Sequence, residues 1–181
     1  MEILTPANQL TLLRLALVPV FALCMLYDRP GWALAAFAAA AVTDLFDGLV
    51  ARWFRQQTTL GAWLDPMADK LLLLTMFVML TIPFGQANRL PIWLTVFVIS
   101  RDVGIILTVA IVNLAMGPRT FRPSIFGKAA TAIYLLTGVA TLFFNYLRQS
   151  SPVVTWLVYA SLVITLVSGV DYLRRSARSL P

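Results

Sequence analysis

Six runs of mostly apolar residues occupy nearly the whole chain: 9–27, 31–50, 61–82, 91–114, 124–146 and 153–173. Each is close to the roughly 20 residues that a helix needs to cross a hydrocarbon core. In lipid every backbone N–H and C=O must be satisfied internally, which leaves helices or closed barrels. The runs are continuous rather than alternating, so helices follow. Of 181 residues, 60% are apolar and 12% charged, about half the charge of a soluble domain. The expected fold is an all-α integral membrane protein: a six-transmembrane-helix bundle forming one domain over residues 1–181, with no segment polar enough for a second.

Turn and helix-start residues separate the runs: Asp28-Arg29-Pro30-Gly31, Arg55 to Thr59, Ile82 to Asn88, Met116 to Arg119, and Gln149 to Pro152. Six spans put both termini on one side. With that side inside, the inner segments hold Arg52, Arg55, Arg119, Arg122, Lys128, Arg174, Arg175 and Arg178, and the outer ones only Arg29, Arg89 and Arg148. By the positive-inside rule the termini face the cytoplasm. The net charge of +6 then reads as a topology signal and an attraction to anionic head groups. Nucleic acid is a poor partner, because no basic helix is interleaved with exposed aromatics. Cys24 lies alone in the first run and supports neither a disulfide nor a thiolate site. The N-terminus lacks the basic cluster of a cleavable signal and Arg14 interrupts the first run, so a bacterial inner membrane is the expected location. Trp63, Trp93 and Trp156, near span ends, read as interfacial anchors.

Against this background the segment 44–69 is anomalous, since it places four carboxylates at the inner ends of spans two and three. Asp44 and Asp47 are spaced i, i+3 and Asp65 and Asp69 i, i+4, so each pair shares a helix face. A short link makes the two helices antiparallel neighbours whose acid faces can meet. Four carboxylates in one partly dry space repel unless a cation holds them. All-oxygen ligands, with no His in the chain, favour Mg²⁺ or Mn²⁺ over zinc. A pair of such ions suits phosphoryl chemistry. Gly48, Ala51 and Gly61 remove bulk near the acids, and Arg52 and Arg55 offer forked donors to phosphate.

The pattern Asp44-x2-Asp47-Gly48-x2-Ala51-Arg52-x8-Gly61-x3-Asp65-x3-Asp69 resembles the signature of the CDP-alcohol phosphatidyltransferases, with all eight fixed positions present. The resemblance implies that Asp44, Asp47, Asp65 and Asp69 bind two divalent cations and that Asp69 also acts as the base. It further implies that Gly48, Ala51, Arg52 and Gly61 line the site for CDP-diacylglycerol. The implied reaction is attack of an alcohol on the lipid-bearing phosphorus with release of CMP, in a homodimer.

The acceptor is read from three further segments. Asn8-x-Leu10-Thr11-x-x-Arg14 is similar to an element of the branch that makes phosphatidylglycerol phosphate and cardiolipin, with Ala7 where a Pro is common. Ile99-Ser100-Arg101-Asp102-Val103 is similar to a segment of eukaryotic-type cardiolipin synthases, and no second Arg follows Arg101 within two turns. Gly127-Lys128-x-x-Thr131 is common to both branches. The missing charge leans toward phosphatidylglycerol as acceptor, bound by Arg101 and Lys128, with glycerol 3-phosphate as the alternative.

Simpler roles compete at several positions. The aspartates could be an ion-pair network, although intramembrane acids are costly and usually functional. Arg101 could pair with Asp102, though adjacent helix residues point about 100° apart. Lys70 could neutralise the cluster, Arg14 could pair with Asp171, and Arg119, Arg122 and Lys128 could be topology markers. An intramembrane prenyltransferase would need two separated Asp-rich motifs and more helices. An ion-coupled transporter would place its acids near the midplane.

Overall fold

In a computed structural model, residues 6–54, 59–116 and 124–179 are described, with the side chains of 6–8, 44–54, 59–66, 112–113, 115–116 and 176–179 outside that description. The order is α1 (Pro6–Leu26), α2 (Pro30–Phe54), α3 (Thr59–Thr81), α4 (Ile92–Met116), α5 (Ile125–Tyr146) and α6 (Pro152–Ser179), with no strand among the described residues. Pro6, Pro30 and Pro152 each open a helix, where the missing N–H costs nothing and the fixed φ is already helical. α2 and α6 run past their apolar stretches, to Phe54 and Ser179. Ala, Leu and Arg are good helix formers, and nothing in Ala51-Arg52 or Leu173 to Arg178 breaks the helix once the apolar run ends.

Among the described residues four helices are long and apolar enough to cross a membrane, Gln9–Leu26, Ile92–Ile111, Ile125–Tyr146 and Pro152–Arg175, with a shorter apolar segment Pro30–Thr43 in α2. Many large apolar side chains are exposed on them, among them Val96, Ile106 and Ile111 of α4 and Tyr159, Val163 and Leu166 of α6. In lipid such a surface is solvated. The molecule is an integral membrane protein. Trp93 and Trp156 are exposed near the starts of α4 and α6, as is Trp32 near the start of α2, while the Trp63 side chain lies outside the described residues.

The chain divides into two compact units, residues 1–89 with 141–150, and residues 90–140 with 151–181. In the first unit α1 packs against both α2 and α3. Buried Val18, Phe21 and Met25 face Ala33, Ala36, Phe37 and Ala40, with the rings of Phe21 and Phe37 5.7 Å apart. Lipid is as apolar as these side chains, so close packing rather than water release holds the pair, and the small alanines permit the approach.

α1 and α5 end in the same way. Asp28 (φ 51°) and Arg148 (φ 53°) take left-handed conformations. Arg29 N donates to Cys24 O at 2.9 Å and Gln149 N to Phe144 O at 3.0 Å, the six-to-one bonds of Schellman caps. These two capping residues also meet each other as an exposed ion pair at 3.5 Å. Beside them Asn145, buried, accepts from Asn88 N at 2.7 Å and donates to Asn88 O at 3.1 Å. Asn88 Nδ2 adds a 2.6 Å bond to Gln149 O. This tie anchors the loop after α3, in which Gly85 supplies the positive φ of 82° that other residues resist.

In the second unit α4 and α6 run parallel in constant register: Arg101 Nε donates to Ser168 Oγ at 3.1 Å, and Tyr172 OH to Ile105 O at 3.3 Å, one turn further on each helix. α5 runs antiparallel to α6 through buried hydroxyl pairs, Tyr134 with Thr165 at 2.6 Å and Thr137 with Ser161 at 2.8 Å.

Candidate active site

α2 carries Asp44, Asp47, Gly48, Ala51 and Arg52, and α3 carries Gly61, Asp65 and Asp69. Continuous helix keeps Asp44 and Asp47, and likewise Asp65 and Asp69, about one turn apart. α1 packs on both of these helices and is the element that they share. The side chains of all these residues except Asp69 lie outside the described residues, as do Arg55, Arg119 and Arg122 altogether.

Asp69 follows fully buried Ala68 and precedes Leu72, also buried, so packing fixes its place on α3. Its own side chain is 43% exposed. One carboxylate oxygen, Oδ1, accepts from Arg14 Nη1 of α1, and Arg14 is completely buried. Arg14 thus has an ion-pair partner on α3. Asp171 pairs with Arg175 on its own helix at 2.9 Å, because the i, i+4 spacing brings an Arg within reach with no help from packing.

In the second unit Arg101 has 10% of its side chain exposed, and its Nη1 lies 2.6 Å from Asp102 Oδ1. The argument that adjacency on a helix keeps the two apart fails here. The Cα–Cβ bonds diverge, but the long arginine stem curls back to its neighbour. A Cβ added to Gly127 would sit 3.4 Å from Arg101 Nη2 and 3.3 Å from Ser124 Oγ, so Gly127 leaves the room into which the guanidinium fits. Ser124 Oγ accepts from Gly127 N at 2.9 Å, as a helix N-cap does. Lys128, next in the chain, is exposed.

Arg101 also lines a groove of about 380 Å³ between α4 and α6, bounded by Phe97, Ile105 and Leu173 among others. Gly104 and Gly169 lie on this groove, and a Cβ at either would meet nothing within 4 Å. The volume lies within the range of ordinary ligand pockets. The polar face behind it, Thr165 and Ser168 of α6 with Tyr134 of α5, was not singled out from sequence. Its signal was present in the spacing of Ser161, Thr165 and Ser168 along one face of an otherwise apolar helix.

The donor set suits hard divalent ions: four aspartates at turn spacing on two helices that pack on a third, and no His in the chain. Asp69, the one whose side chain is described, already receives a cationic partner.

Helices that carry paired acids in an all-helical protein rich in apolar spans fit the class of membrane enzymes that act on phosphate-bearing lipids. The sequence profile described as CDP-alcohol phosphatidyltransferase matches residues 4–167. A Mycobacterium tuberculosis protein named as a probable phosphatidylglycerophosphate synthase is 34% identical over 184 residues, covering 96% of this chain and 82% of the relative. The human cardiolipin synthase (CMP-forming) is 34% identical over 171 residues, covering 84% of this chain and 56% of that protein. A cardiolipin synthase (CMP-forming) of Streptomyces coelicolor is 37% identical over 136 residues, 72% of this chain and 61% of that one. The chain belongs to the CDP-alcohol phosphatidyltransferase family. It is a transferase of phospholipid synthesis.

Proposed function

We propose that the protein transfers a phosphatidyl group from CDP-diacylglycerol to phosphatidylglycerol, releasing CMP and forming cardiolipin. Family membership supports the donor and the reaction. The observation that carries the acceptor is the Arg101–Asp102 pair at 2.6 Å. A guanidinium already sharing its charge with a carboxylate suits the single negative charge of a phosphodiester. It suits less the monoester of glycerol 3-phosphate, which is close to dianionic at neutral pH. The groove beside Arg101 offers an apolar surface to a lipid acceptor. Glycerol 3-phosphate remains the second reading, favoured by the 96% coverage in the match to the mycobacterial protein.

In this reading Asp44, Asp47, Asp65 and Asp69 would hold two divalent cations, Mg²⁺ or Mn²⁺, which when bound neutralise the diphosphate. Gly48, Ala51, Arg52 and Gly61 admit and orient the cytidine diphosphate. Arg101 and Lys128 receive the acceptor's phosphate, and Asp69 takes the proton of its hydroxyl as oxygen attacks phosphorus. With the reacting groups held in line, positioning and electrostatics supply most of the rate. All six helices span the membrane as one domain, a reading supported by a family profile that runs through both compact units. Both termini and the active site face the cytoplasm, by the distribution of Arg and Lys. Bacterial relatives support an inner-membrane location. The assembly is a homodimer by family resemblance.

The test is CMP release by purified protein in detergent, given CDP-diacylglycerol and Mg²⁺ or Mn²⁺, with each acceptor offered separately. Release with phosphatidylglycerol alone supports the proposal; release with glycerol 3-phosphate alone overturns the acceptor. Two variants refine it. Asp44→Asn should weaken Mn²⁺ and CDP-diacylglycerol binding together, each by about tenfold or more, as loss of one ligand from a shared ion does. Equal nucleotide affinity in the variant and the parent would remove Asp44 from the metal site. Arg101→Ala should raise the acceptor's apparent KM by about tenfold, the loss of one charge-assisted hydrogen bond, with little change for the donor. An unchanged acceptor response would return Arg101 to a structural role.

A further inference from the structure

The N-terminal element Asn8-x-Leu10-Thr11-x-x-Arg14 lies thirty residues before the aspartates, and the reaction as proposed above gives it no task. Thr11 and Arg14, three residues apart on α1, are both fully buried. An arginine near a span end usually extends its long stem so that the charge reaches water. Arg14 does the opposite. Its guanidinium is enclosed and holds Oδ1 of Asp69 across the α1–α3 contact.

We propose that Arg14 is a positioning residue for Asp69: it fixes the rotation of that carboxylate and moderates its hold on divalent metal. This rests on the reading of Asp69 as base and metal ligand. The Asp69 side chain is 43% exposed, so burial alone does not fix its rotation. Arg14 is immobile, because burial on all sides pins the stem and α1 packs on both acid-bearing helices. A carboxylate gripped at one oxygen by an immobile cation presents a defined geometry to a hydroxyl proton. The same cation competes with metal for the carboxylate's charge. The second motif of the sequence thus acts on the first through one ion pair.

The experiment is a double-mutant cycle on the full chain, with Mn²⁺ affinity read by electron paramagnetic resonance alongside steady-state kinetics. Arg14→Gln should bind Mn²⁺ about tenfold more tightly, since a neighbouring positive charge is gone. Its kcat should fall by about a hundredfold, the scale of a misplaced reacting group, with the KM of both substrates nearly unchanged. Arg14→Lys should recover much of kcat. In an Asp69→Asn background, Arg14→Gln should tighten Mn²⁺ clearly less than in the parent, because the carboxylate for which arginine and metal compete is gone and only the direct charge effect remains. A merely structural arginine would weaken every readout in both backgrounds and could not tighten metal binding. Equal shifts in the two backgrounds, or an unaltered kcat in Arg14→Gln, overturn the proposal. If Arg14→Gln fails to bind CDP-diacylglycerol, its Mn²⁺ affinity in the two backgrounds, which needs no nucleotide, still gives the comparison. Turnover retained in Asp69→Asn alone would refute the base assignment, while the Mn²⁺ arm still reports on the pair.

Discussion

Asp69→Asn lowers CMP release by about a thousandfold or more, the scale expected of a lost general base, while CDP-diacylglycerol still binds. The substitution keeps the shape of the side chain and an oxygen for Arg14, but it removes both the proton acceptor and the charge. The partner ligands Asp44, Asp47 and Asp65 remain to hold the diphosphate, so donor binding should weaken far less than turnover. Single-turnover CMP release beside equilibrium binding of the nucleotide checks both halves. A residual rate within tenfold of the parent would mean that the acceptor proton leaves by another group. Loss of binding equal to the loss of rate would reassign Asp69 to metal retention alone.

Asn145→Ala destabilises the protein by about 2–4 kcal/mol, since a buried backbone group left without its partner costs roughly 1–3 kcal/mol. Asn145 gives the N–H and the C=O of Asn88 their side-chain partners, at 2.7 and 3.1 Å, and both residues are at least nine-tenths buried. Alanine removes both bonds at once and is too short for any substitute contact. Reversible unfolding in mixed micelles measures the effect, and a loss below about 0.5 kcal/mol, the range of ordinary surface substitutions, would show that water reaches the site. Asn145→Asp keeps the acceptor, loses the donor and buries a charge, so it should be no better tolerated. Nucleotide binding at permissive temperature should survive either change, because these residues carry none of the proposed chemistry.

Helix order and approximate limits were legible in the sequence because a bilayer imposes a length rule on apolar runs, and each run overlaps one helix among the described residues. What the rule cannot see is where a helix stops once the apolar run is over, which is why α2 and α6 run longer than expected. The aspartate motif was legible from spacing alone, since turn periodicity converts i, i+3 and i, i+4 into shared faces. Partner choice was not. Arg14 met Asp69 of α3, Asp171 met Arg175 of its own helix, and Arg101 met the adjacent Asp102, because pairing depends on helix packing and on how a flexible stem folds. Neither is written in residue order. The Asn88–Asn145 tie joins residues far apart in the chain, and two isolated asparagines carry no periodic signal.

The hydroxyl pairs between α5 and α6 bear on how the chain enters its membrane. α5 is the least apolar of the four candidate spans, and Tyr134 and Thr137 put two polar groups on it that lipid cannot satisfy. Their partners, Thr165 and Ser161, lie on the helix synthesised next. Ribosomal output and bilayer partitioning are therefore linked at this point. A nascent chain arrested after Tyr146 lacks the α6 hydroxyl that meets Tyr134, while Thr137 keeps its bond to Ile133 O of its own helix. The arrival of α6 as the second arm of a helical hairpin should therefore ease the insertion of α5 into lipid.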